Sequence, residues 1–285
     1  MNSHRSLRYT LFVLFAAAVV LLTACQPAAP AASPQATLAP SQPPAQPSAI
    51  PAVPATQAPA GPTQPSTGAL DGITLDYSAV AQDVTVETVP AKSASANGPI
   101  WDVAPEYRRL TLQGYPVANH LHKPQIFVYP AGDLASANES MGKIAADLQA
   151  LLQSQKAGDN LPFLPLFNAA QVMHAQVQYL EFKNGKGVRY LTQFDQAPLP
   201  ISNYDLFYTF QGLTSDGKFY IAAILPVTNP ELPAGSTVSD QQATEMSDFP
   251  GYLSKMVSLL EQQPASSFTP DLDKLDALIK SMEVK

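Results

Sequence analysis

Residues 205–227 read DLFYTFQGLTSDGKFYIAAILPV, and this stretch decides the fold. Asp216 and Gly217 separate two strand-like runs, and because this dipeptide reaches positive φ at little cost, the pattern predicts a β-hairpin. The second run, 219–225, is apolar at every position. Such a run is typical of an interior strand, so we expect packed layers on both faces of the sheet.

The same hairpin signal occurs earlier in the chain. Asn184 and Gly185 separate the runs 172–183 and 188–194. Together the two hairpins predict a four-stranded antiparallel meander. Four shorter runs are expected to add N-terminal strands. They are 73–77, 84–89, 107–113 and 125–129.

Three amphipathic segments predict helices. Apolar residues recur at helical spacing over 138–155, and Pro250 begins a second such pattern. Thr269, Pro270 and Asp271 are expected to start the last helix, with a capping oxygen, a proline in the first turn and a carboxylate at the positive end of the helix dipole. The sequence therefore predicts an α+β fold, a sandwich-like antiparallel sheet packed by helices.

The N-terminus has the parts of a secretory signal peptide. Arg5 and Arg8 lie in a cationic end, and an uncharged apolar run, 11–22, precedes Cys25. As a helix this run would span about 18 Å, well short of a hydrocarbon core of roughly 30 Å. We therefore expect an export signal rather than a membrane-spanning helix.

Leu22-Thr23-Ala24-Cys25 resembles the lipobox of bacterial lipoproteins. The resemblance implies that Cys25 receives a diacylglycerol, that signal peptidase II cuts before it, and that an acyl chain such as palmitate is added to the new amino group. Two or three acyl chains give durable membrane attachment, whereas one chain gives marginal binding. The alternatives are an ordinary secreted protein and an unprocessed membrane anchor. Cys25 is the only cysteine, so no disulfide is expected.

The stretch after the cysteine is rich in Pro, Ala, Gln, Ser and Thr and carries no charge as far as Thr67. It is too rich in proline and too poor in aliphatic residues to pack a core, so we predict a disordered spacer. The chain then divides into a signal peptide (1–24), a lipidated cysteine with its linker (25–67) and one globular α+β domain (68–285).

Charge argues against nucleic acid as a partner. Without the signal peptide the chain has 14 basic and 23 acidic side chains, a net charge near −9. Apart from Arg108 and Arg109 the basic residues are scattered, so the sequence lacks the basic stripe that a polyanion needs. Anionic headgroups would also repel the domain, so we expect membrane contact through the N-terminal lipid only.

Two further resemblances concern the domain. Residues 179–226 are similar to segments of uncharacterised bacterial envelope lipoproteins. The predicted outline looks like the PsbP/Mog1 type of fold. Neither resemblance rests on a functional motif, so together they imply a fold and a location but no active site.

Three histidines are candidate metal ligands. His120 and His122 are two residues apart and would face the same way on a strand, and His174 could approach from a neighbouring strand. Three imidazoles can bind zinc or copper. However, Lys123 adds a positive charge, and the alternative is one surface histidine with the others hydrogen-bonded at a strand end. We expect no metal or other cofactor.

Ser140 and Lys143 match the S-x-x-K pattern of serine acyl-enzymes. The K-T-G and S-D-N companion motifs of those enzymes are absent from the sequence. A second match, Ser215 with Lys218, lies in a predicted hairpin turn. Both matches are therefore interpreted as chance, and no catalytic residue is predicted.

Acidic residues give two weaker hypotheses. Glu181 and Asp195 could act as a general acid and base across the first hairpin, although carboxylates at strand ends are common. Arg189 on the same hairpin has a simpler role as their salt-bridge partner. The second acidic set suits helix stabilisation better than cation binding. It consists of Asp271, Asp273 and Asp276.

Aromatic residues are concentrated in the meander. Tyrosines combine an apolar body with a polar tip, which suits sugars and flat organic ligands. Alternating aromatics in a meander are first of all core residues, and we favour that interpretation. Trp101, the only tryptophan, lies outside this set. The set is Tyr179, Phe182, Tyr190, Phe194, Tyr204, Phe207, Tyr208, Phe210, Phe219 and Tyr220.

These observations favour a non-catalytic lipoprotein anchored to the cell membrane or the outer membrane. It would bind a small ligand or an envelope protein, because a tethered module gains effective concentration at a surface. One alternative is an extracytoplasmic hydrolase or metal-dependent enzyme. Another is an assembly factor for a membrane complex. The residues that bind the ligand are not predicted.

Overall fold

A computed structural model gives the fold of residues 67–238, 243–244 and 246–285. All of them belong to one compact unit. The predictions for the signal peptide, for Cys25 and for the linker up to residue 66 therefore lie outside the described residues. Within the described ranges, no helix is long and apolar enough to cross a bilayer.

The described strands form two antiparallel sheets. They are β1 (Thr67–Leu70), β2 (Ile73–Asp76), β3 (Asp83–Val89), β4 (Tyr107–Gln113), β5 (Gln125–Pro130), β6 (Ala170–Phe182), β7 (Gly185–Asp195), β8 (Phe207–Thr214), β9 (Phe219–Pro226) and β10 (Glu283–Val284). The large sheet has the order β3-β4-β5-β9-β8-β7-β6, and the small sheet has the order β1-β2-β10. The predicted meander is confirmed as β6 to β9, and the α+β class with it.

Local turn chemistry accounts for the two hairpins. In the first, Phe182 and Gly185 are partners across the turn. In the second, the Asp216 carboxylate accepts hydrogen bonds from the Thr214 hydroxyl at 2.7 Å and from the Lys218 N–H at 3.1 Å. Gly217 has a φ of +70°, which is the left-handed region that glycine enters easily.

In the small sheet, β2 matches the predicted run 73–77, but its partners β1 and β10 and their separate sheet were not predicted. Thr67, assigned by the sequence to the linker, opens β1 instead. The C-terminal strand β10 pairs with β2, and the Lys285 N–H donates to the Gly72 carbonyl at 2.8 Å. The residues of β1, TGAL, show no clear alternation of apolar and polar positions, and β10 has only two residues.

The described helices are α1 (Leu134–Ala137), α2 (Glu139–Ser154), α3 (Phe249–Glu261) and α4 (Leu272–Lys280). The predictions for α2 and α3 are confirmed within two residues. The predicted start of α4 was wrong. Asp271 is the N-cap, and its side chain accepts the Asp273 N–H at 2.9 Å. Thr269 and Pro270 precede the helix, joined by a cis peptide bond, and Thr269 pairs with Thr228.

The large sheet has a hydrophobic core on each face. Helices α3 and α4 and the small sheet pack on one face, and α2 with residues 161–167 packs on the other. Alternate residues of β9 supply both cores. Ile221 and Leu225 enter the first, whereas Tyr220 and Ile224 enter the second. The prediction of an interior strand covered on both faces is confirmed.

Candidate ligand-binding groove

The second core is open along one flank of α2. Ile144 and Leu151 lie on that flank and face an irregular segment, residues 161–167, which we call the apolar segment. Between the helix and the segment is a groove of about 640 Å³, which we call the aromatic groove. Its aromatic lining consists of Phe163, Phe167 and Phe194.

The apolar segment reads LPFLPLF and forms neither a helix nor a strand. Its prolines have no N–H, and most of its apolar side chains pack into the second core. The other backbone groups that this packing buries need hydrogen-bond partners. At the start of the segment, the Leu161 N–H donates to the side-chain oxygen of Gln171 at 2.8 Å.

Two side chains of the sheet hold the middle of the segment. The Gln211 side chain is fully buried; its Oε1 accepts the Leu164 N–H at 3.0 Å and its Nε2 donates to the Leu164 carbonyl at 3.1 Å. The Tyr190 hydroxyl donates to the Pro162 carbonyl at 2.9 Å. Polar side chains on the sheet therefore position the wall of the groove.

Five rings form an aromatic cluster at one end of the groove. Phe163 lies 4.4 Å from Phe194 and 5.0 Å from Phe167, measured between ring centroids. Phe163 is buried, whereas Phe167 and Phe194 are half-buried and present ring surface to the groove. The other two members are His122 and Phe207. Such walls suit a flat, apolar ligand.

His122 belongs to this cluster as a neutral ring. Its imidazole stacks on Phe167 at 5.2 Å and meets Phe207 edge-on at 4.8 Å. Burial, with a smaller contribution from His120, lowers the pKa of His122 to about 4. At pH 7 the aromatic cluster therefore contains no cation.

The depressed pKa of His122 makes stability depend on pH. The unfolded side chain binds a proton near pH 6.5 and the folded one only near pH 4, so the free energy of unfolding falls as the pH falls between these values. His122 contributes at most about 3 kcal/mol to that fall. The variant His122→Phe keeps a stacked ring and does not titrate, so we expect it to lose less stability than the parent.

Urea unfolding of both proteins at pH 6.5 and pH 4 measures this difference. Burial also lowers the pKa values of His120 and His174 and raises that of Asp195. These groups are present in both proteins, so their effects cancel in the comparison. The same pH dependence in parent and variant would show that His122 is not the group responsible.

The three candidate histidines are not brought together as a ligand set. Among the described residues no group of three or more metal-ligating side chains is found. His120 uses both ring nitrogens: Nε2 donates to the Leu206 carbonyl at 2.8 Å, and Nδ1 accepts the His122 backbone N–H at 2.9 Å. His174 lies on β6, 6.5 Å from the Tyr190 ring. The two hydrogen bonds of His120 agree with the alternative interpretation, in which a histidine is hydrogen-bonded rather than a metal ligand.

The S-x-x-K residues are exposed at the start of α2. Lys143 pairs with Asp147 one turn further on, at 2.6 Å. No contact between Ser140 and Lys143 is among the described hydrogen bonds. The second match, Ser215 with Lys218, lies in the turn between β8 and β9 as predicted.

Glu181 and Asp195 lie at opposite ends of the first hairpin. Glu181 is opposite Lys186 beside the turn, and Asp195 is opposite Ala170 at the far end. At about 3.3 Å per residue the two carboxylates are roughly 30 Å apart along the strand. They cannot act together on one bond of a substrate.

The prediction that Arg189 forms a salt bridge with Glu181 or Asp195 was wrong. Its partner is not a carboxylate of its own hairpin but Asp276 of α4, whose Oδ1 lies 3.2 Å from the arginine Nε. Both side chains are at least 95% buried. Asp276 therefore does not share a cation site with the other two aspartates of its helix, and the ion pair joins α4 to the sheet.

Most of the aromatic residues of the meander are buried in the core, as the sequence predicted. Phe194 is half-buried and lines the groove, and Phe207 is buried beneath it. Tyr204 is 40% exposed, away from the core. The sequence interpretation missed Phe163 and Phe167, which lie in the apolar segment. The buried members are Phe182, Tyr190, Phe207, Tyr208, Phe210 and Tyr220.

Comparison of the chain with protein-family models, with characterised proteins and with solved structures gives no match. The resemblances to envelope lipoproteins and to the PsbP/Mog1 type of fold therefore stay predictions. Function has to be argued from the groove and from the N-terminal sequence.

Proposed function

We propose that this protein is a non-catalytic, lipid-anchored binding protein outside the cytoplasmic membrane, and that it holds a small, flat, uncharged ligand in the aromatic groove. The observation that carries the proposal is a cavity of about 640 Å³ lined by half-buried phenylalanine rings. Binding sites for small molecules typically have volumes of about 300–1,000 Å³ and mostly apolar walls.

The charges around the groove define the ligand class. Asp147 and Lys156 are its charged lining residues, and both are exposed. Asp147 already pairs with Lys143. A charged ligand would lose hydration among the phenylalanines without gaining a buried counter-ion, whereas an uncharged aromatic ligand has no such cost. The proposal is therefore for a neutral ligand.

The proposed membrane anchoring rests on the lipobox and is tested separately from ligand binding. Replacing Cys25 by alanine removes the thiol that would carry the diacylglycerol, so we expect incorporation of labelled palmitate into the protein to disappear. Ser33→Ala, in the linker, is the matched control and should label as the parent does. Equal labelling of the Cys25→Ala protein would contradict the assignment.

Ligand binding is tested with the neutral aromatic dye N-phenyl-1-naphthylamine, whose fluorescence rises in apolar surroundings. The protein is the chain from residue 26 onward, without lipid, so that no detergent competes for the dye. We expect saturable binding that Phe167→Ala weakens at least about tenfold, because the variant removes a ring wall worth more than roughly 1.4 kcal/mol.

A phenylalanine on the other layer provides the control. Phe249 of α3 is partly buried and packs against the first core. Phe249→Ala should bind the dye as the parent does. If both variants bind with unchanged affinity, the dye lies outside the aromatic groove and the proposed function loses its support.

A further inference from the structure

Another cavity, of about 270 Å³, shares the lining residue Leu166 with the aromatic groove. Its walls include the rings of Trp101, Tyr107 and Tyr129 and the side chain of Met141. We call it the tryptophan pocket. The tryptophan pocket is concave and brings a few polar groups together among apolar walls, which are the usual features of a small-molecule site.

Trp101 is a large apolar side chain held partly in solvent. It lies in a 3-10 turn, Ile100–Asp102, and is 39% exposed. The turn is fixed from beneath, because the buried Asn138 amide donates to the Ile100 carbonyl at 2.9 Å and to the Val103 carbonyl at 3.1 Å. An indole at the edge of this pocket is thus held in place on a constrained turn.

Tyr129 contributes a polar group, its hydroxyl, to the wall of the pocket. The residue is 1% exposed, and burial raises the pKa of its hydroxyl well above the ordinary value, so the group is protonated. None of the hydrogen bonds described for this part of the chain involves that hydroxyl. The hydroxyl is not one of the fully buried polar atoms that lack a partner, so it has access to the space of the pocket. A ligand in the pocket would supply a hydrogen-bond partner.

The rim of the pocket contains one cationic and one anionic side chain, so it has no net charge. Lys92 and Asp102 both line the pocket and form an ion pair with each other. Both side chains are at least 41% exposed, so they can exchange hydrogen bonds with a ligand. Three aromatic rings would also suit a quaternary ammonium group, but the Asp102 carboxylate is already paired with Lys92 and offers such a cation no free counter-ion. The rim therefore favours a neutral ligand with several hydroxyl groups.

We propose that the tryptophan pocket binds one neutral pyranose ring. The apolar face of the sugar stacks on Trp101, and its hydroxyls bond with the Tyr129 hydroxyl and with the Lys92–Asp102 pair. A volume of about 270 Å³ lies at the lower limit of ligand sites and suits a single ring rather than a chain of sugars. This site goes beyond the function proposed for the aromatic groove and does not depend on it.

Trp101 is the only tryptophan of the chain, so its fluorescence reports on this pocket alone. The chain from residue 26 onward is titrated with glucose, galactose, mannose and N-acetylglucosamine, with glycerol as the solvent control. We expect at least one sugar to change the emission saturably. Tyr129→Phe keeps the ring and should weaken that affinity roughly fivefold, the effect of one lost hydrogen bond. Phe249→Ala, in the first core on the other face of the sheet, should leave it unchanged.

Two results would overturn the proposal. One is the absence of a saturable change with all four sugars up to about 100 mM, well beyond the millimolar range of weak binding. The other is a sugar response that Tyr129→Phe leaves at full affinity. Circular dichroism of the variant checks that it is folded. Dye binding in the aromatic groove is measured separately, so failure of one site is distinguishable from failure of the other.

Discussion

Asp276→Ala is expected to lower the free energy of unfolding by about 3–5 kcal/mol, the usual cost of leaving a buried charge without its partner. The Asp276 carboxylate lies 3.2 Å from Arg189 Nε and accepts the Tyr208 hydroxyl at 3.0 Å. Without it, the guanidinium keeps only the Gln176 carbonyl as a hydrogen-bond acceptor among the described contacts. Urea unfolding measures the loss.

The matched control is Asp273→Ala, an exposed carboxylate one turn earlier on α4, which should cost less than about 1 kcal/mol. Burial raises the pKa of Asp276 in spite of the nearby Arg189, so the pair is expensive to bury. The double variant Arg189→Met with Asp276→Leu should therefore regain most of the lost stability. Equal losses for the two single aspartate variants would contradict a role for the ion pair.

Gln211→Leu is expected to cost about 3 kcal/mol and to weaken dye binding as well. The variant has a similar shape but leaves the N–H and carbonyl of Leu164 unpaired. It also removes the acceptor of the Tyr220 hydroxyl, at 2.7 Å, and the donor to Thr209, at 2.8 Å. Because Leu164 lies in the apolar segment, the wall of the aromatic groove loses its attachment to the sheet.

The effect of Gln211→Leu on dye binding distinguishes positioning of the apolar segment from a general loss of core packing. Gln211 is not among the lining residues of the groove, so a loss of dye affinity would have to act through the position of the apolar segment. Gln178→Leu, at an exposed position of β6, is the control and should change neither stability nor affinity by more than about 0.5 kcal/mol. Gln211→Leu with full affinity would contradict the account of how the wall is held.

The parts of the fold that depend on local chemistry could be predicted from the sequence. Asn184-Gly185 and Asp216-Gly217 fix the turns, and the apolar run 219–225 places β9 inside the sheet. The parts that depend on distant partners could not. Arg189 pairs with a residue 87 positions later, and no local pattern distinguishes Asp276 from the other acidic residues of its helix.

The groove was missed because its wall has no periodic pattern. Residues 161–167 are apolar but contain two prolines, which excludes both a helix and a central strand. The sequence nevertheless contains a signal for this wall. An apolar loop has to be buried, and its buried backbone N–H and carbonyl groups then need polar side chains as hydrogen-bond partners. Gln211, a buried glutamine in the middle of β8, is such a partner.

The central claim is that a small neutral ligand occupies the aromatic groove, and isoleucine methyl NMR locates the ligand directly. Ile144 lines the groove, whereas Ile279 of α4 is buried in the first core. On saturation with N-phenyl-1-naphthylamine we predict a large ring-current shift of the Ile144 methyl and an unchanged Ile279 methyl. An Ile144 signal that stays in place at saturation would contradict the claim.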